Sequence, residues 1–136
     1  MDRIAVRVEP DQDLTVVTVS GILGLSHVDQ VLEQQNYGTT TKVLWDLRDA
    51  SLSELNREKL QQIAGRVRPS LQTRATKGTA IVANNHDAQL VIELYFEIAQ
   101  HVFGWSVPGF STTCIADAMA WLEETVKCDG QASNPA

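Results

Sequence analysis

The sequence predicts a single α/β domain built on a four- to five-stranded mixed sheet with helices, and three observations support this prediction. Apolar runs of strand length alternate with segments of helical period, which is typical of parallel strands joined by helices. Two strand-like segments are adjacent at the amino end, so a hairpin should give the sheet an antiparallel edge. The chain has 136 residues, 43% of them hydrophobic and 21% charged, which suits one domain with its own core.

The first half of the chain predicts the order β-β-α-β. Residues 4–8 (IAVRV) alternate with period two, and residues 14–19 (LTVVTV) are rich in β-branched side chains. Ser26 is the expected N-cap of a helix that ends at residues 36–38. Residues 43–45 (VLW) are apolar throughout and predict a short buried strand at the centre of the sheet.

The second half continues the order as α-β-α-β-α. Its first element is a helix with one apolar stripe, for which Ser53 or Asn56 is the expected N-cap. Residues 78–83 (GTAIVA) predict another fully buried strand, and the helix after it runs to about residue 102. A weaker strand is expected at residues 110–114.

The last predicted helix covers residues 115–126 and completes the order β-β-α-β-α-β-α-β-α. Residues 127–136 (KCDGQASNPA) have no apolar period and are expected to form a disordered tail, so the domain should comprise residues 1–126. The amino end alternates and carries acidic residues early, unlike a secretory signal, and no apolar stretch is long enough to span a bilayer. We therefore expect a cytoplasmic protein.

The charge and cysteine content exclude several classes of function. The formal net charge of −6 argues against nucleic-acid binding, because a phosphate backbone favours clustered Lys and Arg. The two cysteines, Cys114 and Cys128, make neither a disulfide framework nor a zinc ligand set, and Cys114 is expected to be a small apolar core residue. No motif indicates a cofactor.

Polar residues follow several predicted strands, at the carboxyl ends where ligands bind in open α/β sheets. The same residue types cap helices and close turns, and no glycine-rich phosphate loop accompanies them. We predict a switch or ligand site there, with no catalytic residue and no metal ligand. Asp46 and Asp49 should accept backbone N–H groups in the loop after the strand, with Arg48 paired to one of them. The predicted site residues are Asp46, Asp49, Ser51, Ser53, Asn84 and His86.

The helix at residues 88–103 (AQLVIELYFEIAQHVF) is apolar around most of its circumference. One apolar stripe is enough to cover a sheet, so a second must contact another helix, a partner chain or an apolar ligand. The candidate residues for that second surface are Ile92, Phe96, Phe103 and Trp105. A homodimer is also favoured by the apolar patch of Phe103, Trp105, Val107 and Phe110, although Trp121 and Leu122 of the last helix could cover the same patch.

Basic residues cluster in the segment 57–77, which holds six of the eleven lysines and arginines and a single acid, Glu58. On a helix, Arg57 and Arg68 lie on one side of the apolar stripe, and Lys59 and Arg66 on the other. Such flanking cations suit peripheral contact with anionic lipid or with an acidic protein. A solvated face on a negatively charged protein is an equally good interpretation.

Four stretches resemble a known family: DLTVVTVSGIL, TKVLWDLRDASLS, KGTAIVANN and ADAMAWLEE. They are similar to bacterial proteins with the STAS-like (SpoIIAA-like) fold of the anti-sigma-factor antagonists, and most of all to a stand-alone branch of that family. The resemblance covers roughly residues 1–124 and implies a single-domain STAS-like fold, with a four- or five-stranded mixed sheet covered by helices.

The resemblance also implies where a regulatory serine would lie. In the antagonists an Asp-Ser-Ser-Gly segment at the start of the second helix carries the phosphorylated serine. The corresponding stretch here, residues 50–55 (ASLSEL), places Ser53 near that position but lacks the preceding aspartate and the following glycine. The stand-alone branch is in turn similar to the CRAL-TRIO lipid-carrier fold, which implies an apolar ligand.

Three functional hypotheses follow. The first is a non-enzymatic regulatory or protein-interaction module of STAS-like type. The second is a carrier of a small apolar or lipid-like ligand. The third is a hydrolase or transferase, which rests only on the polar residues Ser26, Asp46, Ser53 and His86 and lacks a nucleophile motif.

Overall fold

A computed structural model describes residues 3–34, 39–73, 77–104 and 107–130. The described chain follows the predicted order of strands and helices, with one short 3-10 turn (Pro10–Gln12) inside the first hairpin. The strands are β1 (Arg3–Glu9), β2 (Leu14–Ile22), β3 (Lys42–Ser51), β4 (Gly78–Ala83) and β5 (Gly109–Thr112). The helices are α1 (Leu25–Leu32), α2 (Arg57–Thr73), α3 (His86–Phe103) and α4 (Ile115–Gly130).

The five strands form one mixed sheet in the order β1-β2-β3-β4-β5. β1 pairs with β2 antiparallel, and the remaining neighbours are parallel. The prediction of a mixed sheet with an antiparallel edge is therefore confirmed, and the sheet has five strands. β3 lies in the middle with β4 beside it, because both present apolar residues to both faces and need cover on each.

The helices divide unequally between the two faces of the sheet. The crossovers from β2 to β5 all step in one direction, so a constant right-handed sense places α1, α2 and α3 on the same face. There, Val17, Trp45 and Ile81 of the strands share a buried cluster with Ile92 and Phe96 of α3. On the opposite face, Ala118 and Leu122 of α4 pack against strand residues, which are Leu14, Val16, Leu44, Ala80 and Val82.

The prediction that the third strand ends at Trp45 is wrong, because β3 continues to Ser51. β2 extends as far as Ile22 and pairs with the added residues, with an irregularity in register after Thr18 that leaves one extra residue in β3. Leu47 and Ala50 in the added segment are buried. Because polar residues separate Leu47 from Ala50, the sequence pattern did not indicate a strand here. The backbone partners of this segment lie in β2.

Two helix boundaries also differ from the predictions. Ser26 lies inside α1, and Gly24 is the N-cap: its N–H donates to Nδ1 of buried His27 at 3.0 Å. α1 ends at Leu32 rather than at residues 36–38, and residues 35–38 lie outside the described chain.

At the carboxyl end, α4 continues to Gly130. Residues 127–130 are therefore helical, although they were predicted to begin the tail. The extension has a physical reason: each residue added to an existing helix gains a hydrogen bond without a new nucleation cost. Residues 131–136 lie outside the described chain. Cys114 is exposed, not a core residue, and its N–H donates to Oγ1 of Thr112 at the turn into α4. Across the described ranges, no helix combines the length and apolarity needed to cross a membrane.

Candidate functional site

The carboxyl ends of β3 and β4 border an open depression of about 380 Å³, which we call the rim depression. One wall is the end of β3 with the loop before α2, and the other is the turn between β4 and α3. Of the six predicted site residues, it brings together four: Asp49, Ser51, Ser53 and Asn84. The other residues lining it are Arg48, Ala50, Leu52, Asn85, Asp87, Ala88 and Val91.

Asp46 is not among the described residues that line this depression, but it pairs with Arg48, which is. The Arg48 guanidinium donates to both carboxylate oxygens of Asp46, from Nε at 2.9 Å and from Nη2 at 2.8 Å, and the Arg48 backbone N–H donates at 3.2 Å. These bonds hold the pKa of Asp46 below its usual range, led by the side-chain hydrogen bond from Arg48, and burial opposes them. Arg48 was expected to pair with Asp46 or Asp49, and its partner is Asp46. Both residues lie in β3 rather than in a loop.

The Asp46–Arg48 pair should make stability depend on pH in a defined direction. Because the pKa of Asp46 is lowered in the folded state, the pair stabilises fully above the unfolded value of about 3.9 and is lost as the pH falls through the folded pKa. We expect Asp46→Asn to cost about 1 kcal/mol at pH 7, a modest figure because Arg48 is half exposed. Urea unfolding from pH 7 to pH 2.5 should show the difference shrinking towards zero.

The exposed position Glu123 on α4 supplies a control for this pH series. Glu123→Gln should change the free energy of unfolding by less than about 0.5 kcal/mol at pH 7. A gap between wild type and Asp46→Asn that widens as the pH falls would contradict the proposed role of the Asp46–Arg48 pair.

The two serines of the rim depression form a hydrogen-bonded pair. Ser51 is the last residue of β3 and Ser53 lies in the turn that follows, and their Oγ atoms are 2.9 Å apart. Both side chains are exposed. Asn56, not Ser53, caps α2, since its Oδ1 accepts from the Lys59 N–H at 2.8 Å. Ser53 is therefore left with a hydroxyl at the surface, outside the capping role that sequence reasoning had offered it.

The second wall of the depression begins at the end of β4. Asn84 and Asn85 follow Ala83, and Asn85 caps α3 by accepting the Ala88 N–H on Oδ1 at 2.8 Å. His86 is exposed in the first turn of α3 and is not among the described residues that line the depression. Nothing in this lining thus joins a serine to His86, as the hydrolase hypothesis requires.

In the ranges that the structure describes, no group of three or more His, Cys, Asp or Glu side chains is arranged to hold a metal ion. Asp49 and Asp87 both line the rim depression, but two carboxylates alone do not make a metal site.

The apolar surface predicted on α3 is mostly covered within the chain. Ile92 and Phe96 are buried against the sheet. Phe103 packs on the cluster that α2 and α3 share, and its ring lies close to Gly65. Trp105 lies outside the described residues. Phe110 stacks on Trp121 of α4 at a centroid separation of 5.2 Å, so part of the patch that favoured a homodimer has an internal partner, and the dimer stays a prediction.

An apolar cavity of about 60 Å³ lies between the sheet and α2. Sequence reasoning missed this cavity, because each lining residue has the pattern of an ordinary core position. It has a floor of strand residues, a roof of α2 residues and a side wall from α3. The lining residues are Leu23, Val28, Trp45, Leu47, Leu52, Leu55, Leu60, Ile63, Val67, Thr79, Ile81, Val91, Ile92 and Tyr95.

The basic segment has one defined ion pair across two helices. The Arg66 guanidinium of α2 donates to Oδ2 of Asp29 on α1 at 2.6 Å. Arg57, Lys59 and Lys77 are exposed. Contact of this segment with anionic lipid stays a prediction.

No protein-family model matches this chain, and no curated protein matches it. Among solved structures, it is similar to the crystal structure of an uncharacterized DUF3478-family protein from Shewanella loihica PV-4, described as having a SpoIIAA-like fold. The two share 21% sequence identity over 90% of this chain and 95% of the other, with a TM-score of 0.49.

Proposed function

We propose that this chain is a non-enzymatic regulatory domain that binds a partner protein at the rim depression. The observation that carries the proposal is the anatomy of that depression. Apolar residues (Leu52, Ala88 and Val91) line it together with polar side chains from two consecutive loops. A surface that combines apolar and hydrogen-bonding side chains in this way is typical of protein interfaces. The resemblance to anti-sigma-factor antagonists, which act by binding other proteins, supports the same proposal.

Ser53 is the position where this binding would be regulated. Its hydroxyl is exposed beside Ser51, in the wall of the depression that also holds Asp49. A phosphate on Ser53 would add about two negative charges next to Asp49 and near Asp87, which also lines the depression. Repulsion and altered hydrogen bonding would then change the affinity for a partner without any change in the fold.

Capture from cell extract, followed by mass spectrometry, tests the proposal. We expect the tagged wild-type chain to retain a protein partner and Ser53→Asp to retain about tenfold less, a change of about 1.4 kcal/mol in binding. Ala120→Asp is the matched control, since it adds the same charge at an exposed position of α4, on the other face of the sheet. Failure to capture any protein, together with substrate turnover that is lost on changing Asp46 or His86, would overturn the proposal.

A second candidate function, a carrier of a small apolar ligand, is favoured by the cavity beneath α2. In the described chain its lining is almost wholly aliphatic and aromatic, as expected of a site for an apolar molecule. Native mass spectrometry of gently purified protein should then show a bound small molecule. A clean ligand-free mass, with no binding of a fluorescent fatty acid, would count against a carrier.

A further inference from the structure

We propose that the cavity beneath α2 takes the hydrocarbon chain of a small amphiphile, whose uncharged, hydrogen-bonding head group lies in the rim depression. This inference rests on the second candidate function, the carrier, and names its ligand class and binding mode. Four features of the structure support it: the lining of the cavity, the placement of α2, the wall shared with the rim depression and the charges around that depression.

The lining of the cavity selects an apolar occupant. Its floor is formed by strand residues such as Leu47 and Ile81, and its roof by Leu60, Ile63 and Val67 of α2. None of the described lining residues carries a charge. Burying a charge there would cost far more than its surroundings return, so the part of a ligand beneath α2 must be hydrocarbon.

The placement of α2 gives this cavity room to enlarge. Leu60 and Ala64 of α2 share a buried cluster with α3, and Ile63 and Val67 share one with Val28 of α1. Neither cluster contains a strand residue, so α2 is supported mainly from its two sides. The cavity volume of about 60 Å³ is less than half that of a cavity known to bind benzene, which is roughly 150 Å³. A chain would therefore enter by moving α2 outward, which leaves the sheet intact.

The cavity and the rim depression share a wall. Leu52, which follows β3 directly, and Val91 of α3 line both of them. A chain beneath α2 that passes these two side chains therefore enters the rim depression. There its head group meets the hydroxyls of Ser51 and Ser53 and the amide of Asn84.

The charges around the rim depression select an uncharged head group. Asp49 and Asp87 both line it. Arg48 is the cation among the described lining residues, and its guanidinium already donates twice to Asp46. A carboxylate head would face two like charges, with the charge of Arg48 already offset by Asp46, whereas a hydroxyl or amide head can hydrogen-bond to the serines and the asparagine.

Titration of the ¹⁵N-labelled full chain at pH 7 with decan-1-ol and with decanoate, each below its aggregation limit, tests the inference. We expect decan-1-ol to shift the amide resonances of Ile63 and Val67 in the roof, and those of Ser51 and Ser53 at the rim. It should bind about tenfold more tightly than decanoate. No shift in α2 with either probe, or tighter binding of decanoate, would overturn the inference.

A filled cavity supplies the second test. Val67→Phe places a larger side chain in the roof and should weaken decan-1-ol binding at least tenfold, whereas Val102→Phe, at a position 51% exposed on α3, should leave it unchanged. Equal affinity in a folded Val67→Phe variant contradicts the inference, and if that variant does not fold, the wild-type titration alone decides. A charged ligand found by native mass spectrometry, with no decan-1-ol binding, would overturn the inference and leave the carrier function standing.

Discussion

Leu122→Ala should destabilise the protein by about 3–4 kcal/mol. α4 is the helix that covers its face of the sheet in the described chain, and Leu122 is fully buried there. Truncation removes transfer energy and leaves a cavity between α4 and the strands, which the rigid sheet cannot close. In a chain of this size, such a loss should lower the melting temperature by roughly 10 °C. Urea unfolding with tryptophan fluorescence measures the free energy directly.

Leu90→Ala is the matched control for this truncation. Leu90 is 50% exposed on α3, so the same change should alter the free energy of unfolding by no more than about 0.5 kcal/mol. If Leu122→Ala cost less than 1 kcal/mol, or no more than Leu90→Ala, α4 would not be docked on the sheet as described.

Gly109→Ala should cost about 2–3 kcal/mol. A Cβ at Gly109 would lie 2.6 Å from Cδ1 and 2.8 Å from Cζ of Phe96, and closer still to Cε1. Phe96 is buried against the sheet and cannot move without disturbing the core. One added methyl group must therefore displace either the ring or the start of β5. Thermal and urea unfolding of the variant measure this cost.

Gly65→Ala makes the same substitution where the structure can accept it. The nearest neighbour of the new Cβ is Cζ of Phe103 at 3.3 Å, and that ring is only half buried. Alanine is also favoured over glycine within a helix by about 1 kcal/mol, so Gly65→Ala should be neutral or stabilising. If Gly109→Ala were as stable as Gly65→Ala, the packing of Phe96 against β5 would be wrong. Phe96→Leu should recover part of the loss in Gly109→Ala.

The sequence predicted those parts of the fold whose signal is local. The run at residues 78–83 coincides with β4, because a strand covered on both faces is apolar throughout. Asn56, one of the two caps predicted for α2, caps that helix. The predicted third strand ended at Trp45, whereas β3 continues to Ser51. In the added segment, buried Leu47 and Ala50 are separated by polar residues, and the register against β2 is irregular. A local apolar pattern therefore could not indicate it.

The candidate site was predictable only in outline. The rule that ligands bind at the carboxyl ends of parallel strands indicated the region of Ser51 and Asn84. Whether side chains from two loops meet there depends on the register of β3 against β4, which no local pattern specifies. The cavity beneath α2 gave no local signal at all, since Ile63 and Val67 satisfy an apolar stripe whether they contact the sheet or enclose a space in front of it.

Hydrogen–deuterium exchange on the chain with its captured partner tests the central claim, that a protein binds at the rim depression, most directly. We predict slower amide exchange in residues 48–53 and 84–91 on complex formation, and no such slowing in that complex along β1 or α4. Protection confined to β1 or to α4, with unchanged exchange at the rim, would contradict the claim and place the partner elsewhere on the molecule.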